Sequence, residues 1–264
     1  MFAAIPFPAL DPVALQIGPI AIRWYALAYM AGLLIGWRYM RSVASWAPRV
    51  LDAKGVDDFL LWATFAIILG GRLGYVLFYQ PIHFLQNPED IVAVWKGGMS
   101  FHGGLLGMVL AIVLYARRQR VPVLGLADRV ACVVPIGLFF GRIANFINGE
   151  LFGRPTDAAW GIVFPGGGPL PRHPSQLYEA GLEGIVLFLI LWLASRSQAV
   201  RTRYGLLTGL FLCGYAIFRS TGELFREPDA HIGFLAGGVT MGQILSLPLL
   251  LAGLFLIARA RPKP

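Results

Sequence analysis

Apolar runs of about 20 residues, each nearly free of charge, recur along the whole of this 264-residue chain. A helix needs that length to cross a hydrocarbon core about 30 Å thick. In lipid the backbone must satisfy its own polar groups, which restricts spanning segments to helices or closed barrels. Runs this long and unalternated read as helices. We read about seven, at 17–37, 57–79, 100–116, 126–146, 176–195, 205–225 and 239–258. The expected fold is an all-α polytopic membrane protein, a single membrane domain over residues 1–264. An extended, Pro-rich lead (Pro6 to Pro19) precedes the first span, and structured outer loops are expected near 80–99 and 147–175, with a short strand at Trp160–Phe164. The composition agrees: 57% hydrophobic and 14% charged, where a soluble domain carries about 25% charged.

The basic residues set the orientation. Arg38, Arg41, Arg49 and Lys54 follow the first run, Arg117, Arg118, Arg120 and Arg129 the third, Arg196, Arg201 and Arg203 the fifth, and Arg259, Arg261 and Lys263 the seventh. The other side holds Lys96, Arg154, Arg172 and Arg226. By the positive-inside rule the richer side is cytoplasmic, with the N-terminus outside and the C-terminus inside. The same distribution argues against nucleic acid as the reason for the net charge of +8, because no basic stripe with interleaved aromatics exists. Cys132 and Cys213 lie inside apolar runs, so neither a disulfide framework nor metal-ligand spacing is expected, and no metal or cofactor is read from the chain. No charged n-region precedes the first apolar residues, so the start does not read as a cleaved signal peptide.

Arg23, Arg72, Arg142 and Arg219 fall within the runs, where each would cost about 2.5–3.5 kcal/mol facing lipid. They therefore need partners, water or a bound anion. His83, His102, His173 and His231 map to the outer side as well. The densest polar cluster is GRIANFINGELFG, Gly141 to Gly153, at the end of the fourth run, where Gly149 should stop the helix. Arg142 and Asn145 share a helical face, with Asn148 and Glu150 just beyond. Arg142 sits roughly 7–8 Å inside the helix end at about 1.5 Å per residue, a depth suited to a phospholipid phosphate. A plain Arg142–Glu150 pair pinning a loop is the simpler reading. In the sixth run Tyr215, Arg219, Glu223 and Arg226 are spaced for one face, with Arg219 at nearly the depth of Arg142. Two arginines at one level make an anion clamp, unless Arg219 and Glu223 merely neutralise each other. His102, in SFHGG, is either a titratable base or a helix cap. Tyr25 is a site residue or an interfacial aromatic. His173, beside Gln176 and Glu179, caps a helix or belongs to the site. Glycines four apart (Gly70–Gly74, Gly103–Gly107, Gly137–Gly141, Gly205–Gly209) read as helix-packing contacts.

GRIANFINGE (141–150) resembles the signature of prolipoprotein diacylglyceryl transferases. SFHGG (100–104), RHPSQLYE (172–179), IRWY (22–25), YAIFRSTGELFREPD (215–229) and GQILSLP (242–248) resemble that family's other blocks, in the same order. The resemblance implies a bacterial cytoplasmic-membrane enzyme that moves the diacylglyceryl group of phosphatidylglycerol onto the lipobox cysteine of a prolipoprotein, releasing glycerol phosphate, with its active site on the outer side. By motif, His102, Arg142, Arg219 and Glu150 are the candidate catalytic residues. Tyr25, Asn145, Asn148, Gly153, Tyr215, Glu223 and Arg226 are the candidate substrate-binding residues. A transporter or flippase of an anionic lipid could use the same arginines. An intramembrane protease would want a serine nucleophile beside His102, and a metal-dependent phosphatidyl transferase would want clustered aspartates; neither pattern is present.

Overall fold

The computed structural model describes residues 5–8, 11–228 and 233–261; His231 and Lys263 lie outside them. Two compact units emerge, one of residues 41–127 and one of residues 1–40 with 128–264.

The 41–127 unit is built on a helical pair, α2 (Ala53–Phe78) and α4 (Phe101–Gln119). Asp52 caps α2 by accepting from the Gly55 N–H at 2.7 Å, and Ser100 caps α4 by accepting from Gly103. The pair runs antiparallel and very close. A Cβ on Gly70 or Gly103 would overlap the other's carbonyl oxygen, and one on Gly107 would overlap that of Ala66. Between the two helices lie α3 (Pro81–Gln86) and two 3-10 turns, Pro88–Val92 and Val94–Lys96. Arg72, 5% exposed, answers the question its depth poses. Its guanidinium donates to the carbonyls of Asp90 (2.5 Å), Ile91 (2.9 Å), Ala93, Gly97 and Gly98. The charge stays solvated by backbone dipoles and ties the loop to the helix. Within that loop Lys96 hydrogen-bonds Asp90 at 2.6 Å and holds its carboxyl below the usual range.

In the second unit the first described element is β1 (Ile5–Pro6), which pairs in parallel with β4 (Ile162–Val163), so the short strand expected at 160–164 forms. β2 (Val13–Ile17) and β3 (Ile20–Arg23) make an antiparallel hairpin. This corrects the first span. Residues 17–23 are strand and turn, with Gly18 at φ +57°, and α1 runs Trp24–Ser45. Gly18-Pro19 breaks the helix, and the alternation of IAIR suits a pleat. Arg23 thus ends a strand, exposed, rather than sitting in a helix. The fourth run divides at Cys132–Val133 into α5 (Val123–Ala131) and α6 (Val134–Ile147). The fifth is composite: α7 (Ser175–Glu179), a π-helical segment Ala180–Val186, and α8 (Leu187–Arg196). After the short α9 (Gln198–Arg201), α10 covers Leu206–Gly222 and α11 Met241–Arg259. Among the described residues, five stretches are long and apolar enough to cross a membrane: Ala53–Phe78, Phe101–Gln119, Val123–Ile147, Ser175–Arg196 and Met241–Arg259; Leu206–Gly222 is apolar but shorter. The chain is a mostly helical, multi-pass membrane protein.

A buried aspartate fixes the start of α10. Asp128, 1% exposed, accepts from the N–H groups of Gly205 and Thr208, both at 2.8 Å, and from the Thr208 hydroxyl at 2.7 Å. It caps a helix that it does not belong to. Asp128→Ala should strand those donors and cost about 2–4 kcal/mol, read as a lower melting temperature in detergent. An unchanged melt would refute the capping role.

Candidate active site

The polar site of the second unit is assembled from α6, the composite fifth helix and α10. Arg142 is carried by α6 close to its C-terminal end. Asn148 caps that helix and Gly149, at φ +63°, turns the chain away, as the glycine position implied. From the facing segment come Glu179, at the last residue of α7, and Glu183, in the π turn; both are completely buried. Gly184 brings this segment close, since a Cβ there would lie 2.7 Å from that of Phe139 on α6. Arg142 Nε meets Glu179 Oε2 at 3.1 Å, and its Nη2 meets Glu183 Oε2 at 3.2 Å. Arg219, from the last turns of α10, meets the other oxygen of the same carboxylate, Nη1 to Glu179 Oε1, at 2.5 Å. Its Nη2 pairs with Glu223 Oε1. The two arginines are therefore held side by side across one carboxyl group.

α10 ends at Gly222, so Arg226 is not on its face as the spacing suggested. It comes from the following turn, yet its Nη1 still lies 3.5 Å from Glu179 Oε1. Tyr215, one turn before Arg219 on α10, lies within electrostatic reach of Glu183, Arg219, Arg142 and Glu179. Two glycines make room: a Cβ on Gly222 would lie 3.2 Å from Glu179 Cγ, and one on Gly242 would lie 2.6 Å from Glu223 Cδ. With Arg142, Arg219 and Arg226 facing Glu179, Glu183 and Glu223, formal charge balances. The carboxylates are buried and the guanidiniums partly so, and charges in such a low dielectric are stable only when paired in this way.

Glu150 does not pair with Arg142. It accepts from Asn145 Nδ2 at 2.8 Å, while its backbone carbonyl takes a hydrogen bond from Gln176 at 2.6 Å. Tyr25, at the start of α1, interacts with Asn145 and with the Glu150 charge, and its hydroxyl lies 3.2 Å from that of Tyr29. Asn148 and Glu150 are exposed. Gly153 sits where three stretches of chain cross; a Cβ would meet the Phe225 carbonyl and His173 at 2.5–2.7 Å. His173 packs on Phe225 with ring centroids 5.2 Å apart, and its Nδ1 is 3.1 Å from the Tyr178 hydroxyl; burial lowers its pKa. His102 is exposed in the first turn of α4, in the other unit.

A profile of prolipoprotein diacylglyceryl transferases matches residues 12–259. Full-length relatives named phosphatidylglycerol–prolipoprotein diacylglyceryl transferase are similar throughout. That of Paramagnetospirillum magneticum is 59% identical, covering 98% of this chain and 97% of the relative. That of Rhodospirillum rubrum is 61% identical over 100% and 97%, and that of Gluconacetobacter diazotrophicus 56% over 100% and 95%. The chain belongs to the prolipoprotein diacylglyceryl transferase family.

The family's polar blocks supply the cluster just described, with one addition that the arginines alone did not reveal. Glu183 has no place in the sequence reading, and Glu179 enters it only beside His173 and Gln176, as part of a helix cap or of the site. A signal existed: QLYEAGLEG places two acids four apart inside an apolar run, and intramembrane carboxylates demand partners as strongly as arginines do. Arg154 was likewise counted only for topology, whereas its guanidinium donates to the carbonyls of Glu223 and Arg226, both at 2.9 Å, holding the turn that delivers Arg226.

Proposed function

We propose that this transferase moves the diacylglyceryl group of phosphatidylglycerol to the thiol of a prolipoprotein lipobox cysteine in the bacterial cytoplasmic membrane, with its site on the periplasmic side. The observation that carries the reading is the meeting of Arg142 and Arg219 across Glu179. Two guanidiniums so placed can grip one phosphate through paired donors. The orientation rests on the basic residues that follow alternate spans, with seven helices taken as crossing.

The chemistry needs a nucleophile, a proton acceptor and a stabilised leaving group. The thiol belongs to the prolipoprotein; the chain's own Cys132 and Cys213 are buried and take no part. A free cysteine has a pKa of about 8.5 and attacks as thiolate. The thiolate attacks the glyceryl carbon that bears the phosphate ester, the C–O bond breaks, and glycerol phosphate leaves with the electron pair. Arg142 and Arg219 stabilise the charge growing on that phosphate. Glu150, held by Asn145, and His102 are the two groups offered for the thiol proton; initial transfer rates of Glu150→Gln and His102→Gln decide between them, the acceptor being the one whose replacement costs the greater loss. Tyr25, Asn145, Asn148, Gly153, Tyr215, Glu223 and Arg226 line or brace the site.

The decisive assay uses purified protein, labelled phosphatidylglycerol and a lipobox peptide. A thioether product and glycerol phosphate are expected with the cysteine peptide and no product with its Cys-to-Ser form. Phosphatidylglycerol that crosses the bilayer but stays intact would replace this reading with a flippase.

A further inference from the structure

Three guanidiniums reach the site from α6, from α10 and from the turn after α10, and all three end on one carboxyl group. Glu179 divides its oxygens between them. Oε2 faces Arg142 Nε as an ion pair at 3.1 Å without a hydrogen bond, while Oε1 accepts from Arg219 Nη1 at 2.5 Å and lies 3.5 Å from Arg226 Nη1. Glu183 and Glu223 each hold the outer edge of one arginine. Among the described residues, Nη1 of Arg142 and Nε of Arg219 donate no hydrogen bond to a carboxylate; the hydrogen bonds made run from Arg142 Nη2 to Glu183 and from Arg219 Nη1 to Glu179. Each guanidinium therefore keeps donors for a further acceptor.

We propose that Glu179 is the positioning residue of the phosphate site. It sets the separation of Arg142 and Arg219 to what a single phosphate can bridge, without itself touching the lipid. This rests on the reading that those arginines take the phosphate. Like charges brought this close repel in a low dielectric, so an anion must stand between them before the lipid arrives, and Glu179 is that anion. It is completely buried, at the junction where α7 widens into the π turn, a local irregularity often found at functional sites. Gly222 leaves just enough room for its side chain. The pair's geometry is thus set by the one group that both share, with Glu183 and Glu223 each steadying the far side of one arginine.

The balanced charge gives this role a signature that mere scaffolding lacks. Glu179→Gln keeps the shape but removes one negative charge, leaving the cluster with a net positive charge. Attraction for an anionic headgroup should hold or improve while the mutual alignment of the arginines loosens. KM for phosphatidylglycerol should then stay within about twofold of wild type or fall, and kcat should drop about a hundredfold, the loss expected for misplacement of roughly 1 Å. Glu179→Asp, which restores the charge on a shorter stem, should recover much of that loss. Both are measured on full-length protein in detergent, with the folded fraction taken from thermal melts. The proposal is overturned if Glu179→Gln turns over within about threefold of wild type, or if its loss matches the fraction unfolded. If Glu179→Gln keeps its rate while Arg142→Ala loses it, only this inference fails. If Arg142→Ala also keeps its rate, the phosphate reading itself falls.

Discussion

Replacing Arg142 or Arg219 with alanine should lower transfer by at least about a hundredfold, since each removes a charged donor aimed at the leaving phosphate, and one such donor is worth about 10²–10³. A second effect adds to the first. Without Arg142, Glu183 and one oxygen of Glu179 remain buried with no facing cation, and breaking a buried ion pair from one side costs about 3–5 kcal/mol. Alanine variants therefore confound catalysis with folding. Lysine separates them: Arg142→Lys keeps the charge but lacks the planar fork that reaches two carboxylates and a phosphate together. We expect Arg142→Lys to melt near wild type yet turn over at least about fiftyfold more slowly. The comparison is read as initial rates with labelled phosphatidylglycerol beside thermal melts. Near-normal turnover in Arg142→Lys and Arg219→Lys would show that a diffuse positive field suffices and that no forked grip on phosphate is made.

The parts of this arrangement that could be read from residues alone were those governed by the bilayer. Intramembrane arginines are so costly that Arg142 and Arg219 announced a site, and Gly149 announced where its helix stops. What went unread depended on partners far apart in sequence. Glu150 is the nearest acid to Arg142 along the chain, but the carboxylates that meet Arg142 come from residues 179 and 183. Arg72 carried the same sequence signal as Arg142, yet it spends its donors on five backbone carbonyls. Spacing cannot tell a charge held by a loop from a charge held beside a ligand. The first span erred for a local reason. Hydropathy counted 17–23 as helix because the residues are apolar, and the turn at Gly18-Pro19 with two-residue alternation outweighed that signal.

Glycine pairs expose the same boundary and yield the second large effect. Four glycine pairs look alike in sequence, but they do not pack alike. On α2 and α4 the backbones touch, and a Cβ at Gly107 would overlap the Ala66 carbonyl oxygen. That atom is backbone in a hydrogen-bonded helix and cannot swing aside. On α6, a Cβ at Gly137 or Gly141 would meet nothing within 4 Å. Gly107→Val should force the α2–α4 pair apart and lose more than about 4 kcal/mol, beyond the roughly 1–3 kcal/mol of ordinary overpacking. Gly137→Ala should be neutral or gain about 0.5–1 kcal/mol, because alanine orders a helix at less entropic cost. Thermal melts of both variants in one detergent, with the yield of monodisperse protein, check the contrast. Equal melting temperatures would mean that the two helices can separate without cost, and that the close contact seen along Ala66, Gly70, Gly103 and Gly107 does not hold this unit together.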